Sequence, residues 1–246
     1  MNKKRLDVLL NEKGFAESRN QAQRLVIAGQ VRVDGQVFLK PSSKVEINAR
    51  IEVAGGPRFV SRGGEKLQAA LDAFHISVDG KICADVGAST GGFSDCLLQA
   101  GAKKVYAIDV GYGVLHWKLR NDSRIVVMER TNARYVQNLP IHVNMVTIDA
   151  SFISLKILLP VIKEWLLPAH GDVVVLIKPQ FEAGRELVSR SEGVVRDPQI
   201  HRQVVSEILN YGQEQGFKAQ GVIESPLRGP KGNVEFLAYF TISSAG

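Results

Sequence analysis

The sequence predicts an α/β fold: a doubly wound parallel sheet finished by an antiparallel hairpin, with a small α+β domain in front of it. Three observations carry the expectation. Beyond residue 60, short apolar runs alternate with amphipathic stretches, KICADVGA, FSDCLLQAG, KKVYAIDVG, VNMVTID, SLKILLPVIKEWLL, DVVVLIKP and HRQVVSEILNYGQEQG in turn. That is the pattern of parallel strands joined by covering helices. The last stretch, KAQGVIESPLRGPKGNVEFLAYFTI, holds two strands with no helix between them, so the pair closes as a hairpin. Charge divides near the same place: residues 1–62 hold 12 Lys or Arg against 6 Asp or Glu, and residues 63–246 hold 19 against 19, so the excess of +6 belongs to the first quarter. A neutral body joined to a basic arm suits one part that does chemistry and another that holds a polyanion. A solvated charged face is the plainer alternative.

Composition narrows the class further. A chain of 246 residues with 45% hydrophobic content can bury one large core and one small module. Unbroken apolar runs reach only about five or six residues, short of the roughly 18 to 20 that a bilayer-spanning helix requires, so no membrane span is expected. The start, MNKKRLDVLLNEKG, lacks the apolar core and cleavage site of a secretory signal. Cys83 and Cys96 each sit inside an apolar segment and read as buried thiols of a reducing, cytoplasmic compartment. The five histidines show no metal-ligand spacing, and no metal is expected.

Within the arm the elements follow in order. RLDVLLNEKGF spaces Leu6, Leu9 and Leu10 at helical intervals and stops at Gly14. Ser18 and Gln21 form a capping-box pair ahead of a second helix, whose Ala22, Leu25 and Val26 share a face and which Gly29 closes. In VRVDGQVF the apolar positions flank Asp34-Gly35, the dipeptide of a type I′ hairpin turn. A last strand is expected around Val45 to Val53. The arm resembles the small RNA-binding domain first described in a small-subunit ribosomal protein and reused in pseudouridine synthases and tyrosyl-tRNA synthetases. Arg5-Leu6-Asp7, Ser18-Arg19, Ala22, Gly29-x-Val31-x-Val33-Asp34-Gly35 and Lys40-Pro41 carry the likeness. It implies that Arg5, Arg19, Arg24 and Lys40 line an RNA-facing surface, where such side chains position a phosphate backbone and do not read sequence.

Residues 54–64, AGGPRFVSRGG, break every pattern and read as a linker, which places the domains at 1–60 and 61–246. Arg62 at its end is a further RNA-contact candidate. Beyond it EKLQAALDAFH is helical. Open α/β sheets bind ligands at the carboxyl ends of their strands. There the first strand of the body runs into DVGASTGGF, a glycine-rich turn that lets a ligand approach backbone amides. It is not a G-x-G-x-x-G, so alone it is a weak sign. Asp109 ends the next strand about 20 residues later, the place from which a carboxylate binds ribose hydroxyls, with a helix cap as its alternative role. Together these features point to an adenosine-containing cofactor beside Asp85, Gly87, Ser89, Gly91, Gly92, Phe93 and Asp109. Glycines and acid do not separate NAD from S-adenosylmethionine. The terminal hairpin and the lack of a second catalytic domain favour S-adenosylmethionine and the methyltransferase version of the Rossmann architecture.

The acceptor on RNA can be narrowed by elimination. Cytosine C5 chemistry needs a cysteine nucleophile, usually beside proline, and neither cysteine is so placed. Exocyclic-amine chemistry uses an N-P-P-Tyr type of loop after the fourth strand, where this chain reads Asp149-Ala150-Ser151-Phe152. A ribose hydroxyl remains, a poor nucleophile that needs a group to take its proton and charges to orient it. A lysine can do so when burial and a nearby cation disfavour its ammonium form. Lys66 in the first helix of the body, Asp149 and Lys178 at the ends of the fourth and fifth strands, and Glu235 in the hairpin are positioned to meet.

Here the resemblance covers nearly the whole chain. Lys66 in SRGGEKL, Asp149 in TIDASFISL, Lys178 in LIKPQFE and Glu235 in GNVEFL match in order the Lys-Asp-Lys-Glu tetrad of FtsJ-like RNA ribose 2′-O-methyltransferases. With the arm, the chain looks like the TlyA family, described as haemolysins and as ribosomal RNA 2′-O-methyltransferases acting on cytidines of both subunits. The likeness implies Lys178 as the base, with Asp149, Lys66 and Glu235 tuning it and positioning the ribose, and Gly87, Asp109 and Asp149 along the cofactor with Phe152 at its edge. Where the family often has Trp or Tyr before Val-Ser-Arg, this chain has Phe59. Arg228 and Lys231, in a Gly-Pro turn beside Glu235, form a basic patch for RNA; Arg185, Arg190 and Arg196 are weaker candidates. The implied partner is ribosomal RNA or a ribosomal subunit, with a monomeric protein and no membrane partner. Two other readings stand beside the enzyme: a membrane-active haemolysin resting on ISLKILLPVIKEWLL, which a core helix explains as well, and an RNA-binding protein without catalysis.

Overall fold

Leu6, Leu9, Leu10, Ala22, Leu25 and Val26 have no polar group to offer water, and two helices bring them together against small sheets. The computed structural model describes residues 3–54, 58–168, 170–184 and 193–242. It divides into two units, Met1–Arg58 and Phe59–Gly246. Phe59 therefore belongs to the larger unit: it is buried there, and its ring fills the space a side chain at Gly64 would need.

The smaller unit runs β1 (Lys3–Arg5), α1 (Leu6–Glu12), α2 (Arg19–Ile27), β2 (Val31–Val33), β3 (Gln36–Phe38), β4 (Lys44–Glu46) and β5 (Ile51–Val53). Ser18 caps α2 as expected, its hydroxyl accepting from Gln21 N at 3.2 Å. The return bond of the capping box lands one residue early, Gln21 Oε1 accepting from Glu17 N. Asp34 and Gly35 both take positive φ, +50° and +81°, the type I′ geometry that joins β2 to β3. The single strand expected from Val45 to Val53 is corrected. A turn closed by Ala49 N to Glu46 O breaks it into β4, which pairs with β1, and β5, which pairs with β2. The short β1 had no sequence signal.

One charge organises this unit. The Asp7 carboxylate is fully buried and accepts from Arg5 Nε and Nη2, Arg19 Nε and Gln23 Nε2, all at 2.9–3.0 Å. Its pKa is held far below the usual range, first by the Arg5 hydrogen bonds, against the cost of burial. Arg5 and Arg19, expected to face RNA, are thus fastened within the unit, though each remains about half exposed at 41% and 53%. Arg24 and Lys40 are exposed.

In the larger unit α3 (Gly63–Ala73) leads into β6 (Ile82–Val86), α4 (Gly92–Gln99), β7 (Lys104–Ile108), α5 (Trp117–Arg120), β8 (Ile125–Met128), β9 (Met145–Ile148), α6 (Leu155–Lys163), β10 (Asp172–Ile177), α7 (Pro179–Glu182), α8 (Pro198–Glu214), β11 (Phe217–Glu224) and β12 (Phe236–Ile242). Seven strands order as β11-β12-β10-β9-β6-β7-β8. The five from β6 to β10 run parallel, and β12 lies antiparallel between β10 and β11. Strand side chains alternate between two cores. Val146, Ile148, Val173, Val175 and Ile177 pack with α6 and α8, whereas Met145, Val174, Leu176 and Cys83 pack with α3 and α4. Both cysteines remain buried thiols. The apolar stretch that raised a membrane reading is α6, whose Leu155, Leu158, Leu159 and Ile162 are buried in the first of these cores. Among the described residues no helix is long and apolar enough to cross a membrane. Asp197 caps α8 by accepting from Gln199 N, with Pro198 at the first helical position as expected.

Because two guanidinium groups and an amide converge on Asp7, Asp7→Asn is expected to lower the stability of the smaller unit by about 1–3 kcal/mol. Hydrogen exchange of the full-length protein checks it: protection should fall in α1 and α2 while the larger unit stays unchanged.

Candidate active site

Gly87 ends β6 at φ +80°, and a Cβ there would lie 2.6 Å from the Asp149 carbonyl oxygen. Only glycine lets the turn after β6 touch the turn after β9. Asp109, just after β7, fixes that glycine-rich turn: its Oδ2 accepts from Ser89 N at 2.8 Å and its Oδ1 from Gly111 N at 2.7 Å. Beneath the turn, Asp85 is fully buried and its carboxyl accepts from the hydroxyls of Ser94 and Thr147 at 2.6 and 3.0 Å. Burial raises its pKa to about 7, the two hydroxyls holding it back and the neighbouring Asp149 adding to the rise.

The four tetrad candidates form two ion pairs that are mostly shielded from water. Lys178, the residue between β10 and α7, has its Nζ 2.6 Å from Asp149 Oδ1 and donates to Ser151 Oγ at 3.0 Å. Lys66, on the first turn of α3, places Nζ 2.6 Å from Glu235 Oε2. The lysine side chains are 8% and 12% exposed, so each ammonium depends on its carboxylate for what water no longer supplies. Glu235 is also held by Gln180 Nε2 at 3.3 Å. Its carboxylate lies where a side chain on Gly229 would go, leaving no room for a Cβ there.

Two clefts adjoin these pairs. One of about 650 Å³ is lined by Arg62, Lys66, Gly87, Asp149, Arg228 and Lys231 among others. The second, of about 710 Å³, is lined by Asp109, Asn132, Ala150 and Phe152 and shares Gly87, Ser89 and Asp149 with the first. Of the residues expected around a cofactor, Gly87, Ser89, Gly92, Phe93, Asp109, Asp149 and Phe152 therefore face one cleft or the other. Asp85 and Gly91 line neither cleft. Asp85 is sealed beneath the turn, and Gly91 starts α4 at φ +97° against Leu119, which leaves no room for a Cβ. Lys178 and Glu235 sit behind the cleft walls, each joined to a wall residue.

The basic candidates separate as well. Arg62, Arg228 and Lys231 border the first cleft, Arg228 also pairing with Glu224 at 3.3 Å. Arg196 is exposed, and Arg185 and Arg190 lie outside the described residues. Sequence reasoning missed Ser151, Gln180 and Gly229, although all three stand inside stretches already quoted as motifs. It also missed two exposed arginine–aromatic pairs, Arg130 over Tyr112 at 4.1 Å and Arg134 over the adjacent Tyr135 at 4.4 Å.

Comparison with known proteins follows this division. Residues 59–241 match the FtsJ-like methyltransferase family and residues 4–51 match the S4 domain. The 16S/23S rRNA (cytidine-2′-O)-methyltransferase TlyA of Mycobacterium tuberculosis is 46% identical over 239 residues, covering 96% of this chain and 88% of its own length. Hemolysin A of Brachyspira hyodysenteriae is 43% identical over 244 residues, covering 97% of this chain and 100% of its own. A solved structure from Streptococcus thermophilus, also carrying a haemolysin name, superposes with a TM-score of 0.74 at 43% identity, covering 99% of this chain and 90% of that one.

The buried Asp85 predicts a pH signature. Folded, the carboxyl keeps its proton up to about pH 7; unfolded, it releases the proton near its ordinary value of 3.8. Its contribution to stability is thus complete below pH 3.8 and is lost as pH rises through 7. Thermal unfolding of wild type and Asp85→Asn across pH 5.5 to 8 should show the variant gaining roughly 2 kcal/mol relative to wild type. A gap that stays constant with pH would rule the assignment out.

Proposed function

Because this chain belongs to the FtsJ-like methyltransferase family, we propose that it transfers a methyl group from S-adenosylmethionine to the ribose 2′-hydroxyl of a cytidine in ribosomal RNA. The observation that carries this reading is the double pairing of Lys178 with Asp149 and Lys66 with Glu235 beside two joined clefts. The residues fit the cofactor. Gly87 has no side chain to fill the junction of the clefts, and Asp109 and Asn132 offer hydrogen bonds in the second. When bound, S-adenosylmethionine supplies a methyl group on a sulfonium, electrophilic enough to pass directly to an oxygen.

The chain's own residues deal with the other half of the problem, the hydroxyl and its proton. The Lys178 ammonium first releases a proton to solvent; the neutral amine then accepts the hydroxyl proton at Nζ, and Asp149 and Ser151 fix that atom in place. Lys66 presents its ammonium at the cleft wall, where it can hold a ribose or phosphate oxygen, and Glu235 keeps it there. Arg62, Arg228 and Lys231 give the cleft lips positive charge suited to a phosphate backbone, and the S4 domain adds Arg24 and Lys40 on its own surface. The haemolysin name of some relatives finds no separate support in α6, which is a core helix.

Purified protein, labelled S-adenosylmethionine and each ribosomal subunit test the reading: label should enter ribosomal RNA and map to a 2′-O-methylcytidine. No label, with an active control enzyme, overturns it. The role of Lys178 is separable. Lys178→Arg keeps a charge beside Asp149 but offers no lone pair near neutrality, so both Lys178→Ala and Lys178→Arg should lose about 10²-fold or more in kcat. S-adenosylmethionine binding, followed by calorimetry, should change little in either variant. An arginine variant that kept most of the activity would make Lys178 an electrostatic clamp.

A further inference from the structure

Gln180 carries a buried acceptor that nothing among the described residues satisfies. The residue is 8% exposed, and its Oε1 is the one buried side-chain oxygen or nitrogen without a partner among the described residues. Its orientation is set from the other end, because Nε2 donates to Glu235 Oε1 at 3.3 Å. Turning the amide over would place two oxygens face to face beside a carboxylate already bound to Lys66. Such an orphan is costly and calls for a donor from elsewhere.

Gln180 also lines a third cavity, of about 850 Å³, which shares Ser151 and Phe152 with the second cleft and Lys231 with the first. Its shape and chemistry suit a nucleobase. Phe152 and Phe181 stand in its wall with ring centres 5.0 Å apart, and Phe152 is 90% exposed at φ +64°, an unfavourable backbone for an aromatic residue. Lys178 Nζ lies 5.8 Å from the Phe181 ring centre, so the cavity is next to the atom assigned to the hydroxyl proton. Asn233 and Glu182, also along it, are committed. Asn233 bonds Val195 N, Gly193 O and Pro230 O, and Glu182 bonds Ser154 Oγ and Leu155 N.

We propose that Gln180 is a specificity-determining residue, its Oε1 accepting a hydrogen bond from the exocyclic amine of the target base. The proposal rests on the ribose-methylation reading and deepens it. A cytosine places a donor against Oε1. A uracil places a second acceptor there, and the buried carbonyl stays unpaired. Since the desolvation of Oε1 is already suffered in the free protein, the site gains from the right base and has nothing to offer the wrong one.

The test begins by mapping the nucleotide that wild type methylates; a target without an exocyclic amine overturns the proposal. Transcripts carrying cytidine, uridine or a 2-pyrimidinone ribonucleoside at that position are then compared with wild type and Gln180→Leu. Wild type should favour cytidine over both analogues by roughly 10- to 100-fold in kcat/KM. Gln180→Leu should shrink the preference to within about threefold, with the loss falling on cytidine. A preference that persists in Gln180→Leu overturns the proposal. If that variant fails to fold, the wild-type series decides alone, because pyrimidinone used as well as cytidine is fatal to an amine contact. Absence of transfer by wild type to any ribosomal RNA would instead sink the parent reading, and this proposal with it.

Discussion

A lysine ammonium withdrawn from water needs a counter-charge, and this molecule meets that need twice at the same edge of one sheet. Each of Lys66 and Lys178 lies 2.6 Å from a carboxylate. Breaking either pair would strand a charge where solvent can do little for it. Much of the larger unit reads as the means of bringing these partners together. The parallel strands deliver Asp149 and Lys178 side by side because β9 and β10 are neighbours. The antiparallel β12, next to β10 on its other side, delivers Glu235 from the residue before its own start.

Around the pairs, the requirement is for space as much as for charge. Gly87 admits the Asp149 carbonyl and Gly229 admits the Glu235 carboxylate, and in neither place could a Cβ be fitted without displacing a member of the tetrad. The buried Asp85 plays a complementary part. It ties the start of α4 to β9 through Ser94 and Thr147, so the turn that walls the clefts is held from beneath. Asp109 holds the same turn from the side through Ser89 and Gly111. A site whose supports are used up within the protein keeps its shape before any ligand arrives, which is the condition for electrostatic groups to act without reorganising.

The smaller unit solves a different problem with the same device. Its basic side chains would repel one another if left unanchored, and Asp7 gathers two of them around one buried carboxylate. Arg5 and Arg19 are thereby ordered while keeping about half of their surface in water. Ordered arginines lose less freedom on meeting phosphate. Recognition of this kind works through charge and shape.

Local pattern in the chain was enough for the strand and helix alternation, the Asp34-Gly35 turn and the caps at Ser18 and Asp197, and a family resemblance singled out the two lysines and two carboxylates that the fold brings into pairs. Each of these depends on neighbours a few residues away, or on a residue type that chemistry demands. Local pattern was not enough to show that β12 inserts between β10 and β11, that residues 44–53 form two strands in separate sheets, or that Asp85 and Gly91 line neither cleft. Nor could it show which lysine takes which carboxylate: Lys66 and Glu235 are 169 residues apart. Gln180 makes the same point most sharply. Its identity was in plain view in IKPQFE, but an unpaired oxygen is a property of everything packed around it, and only the assembled sheet, α7 and Glu235 together decide that it has no partner among the described residues.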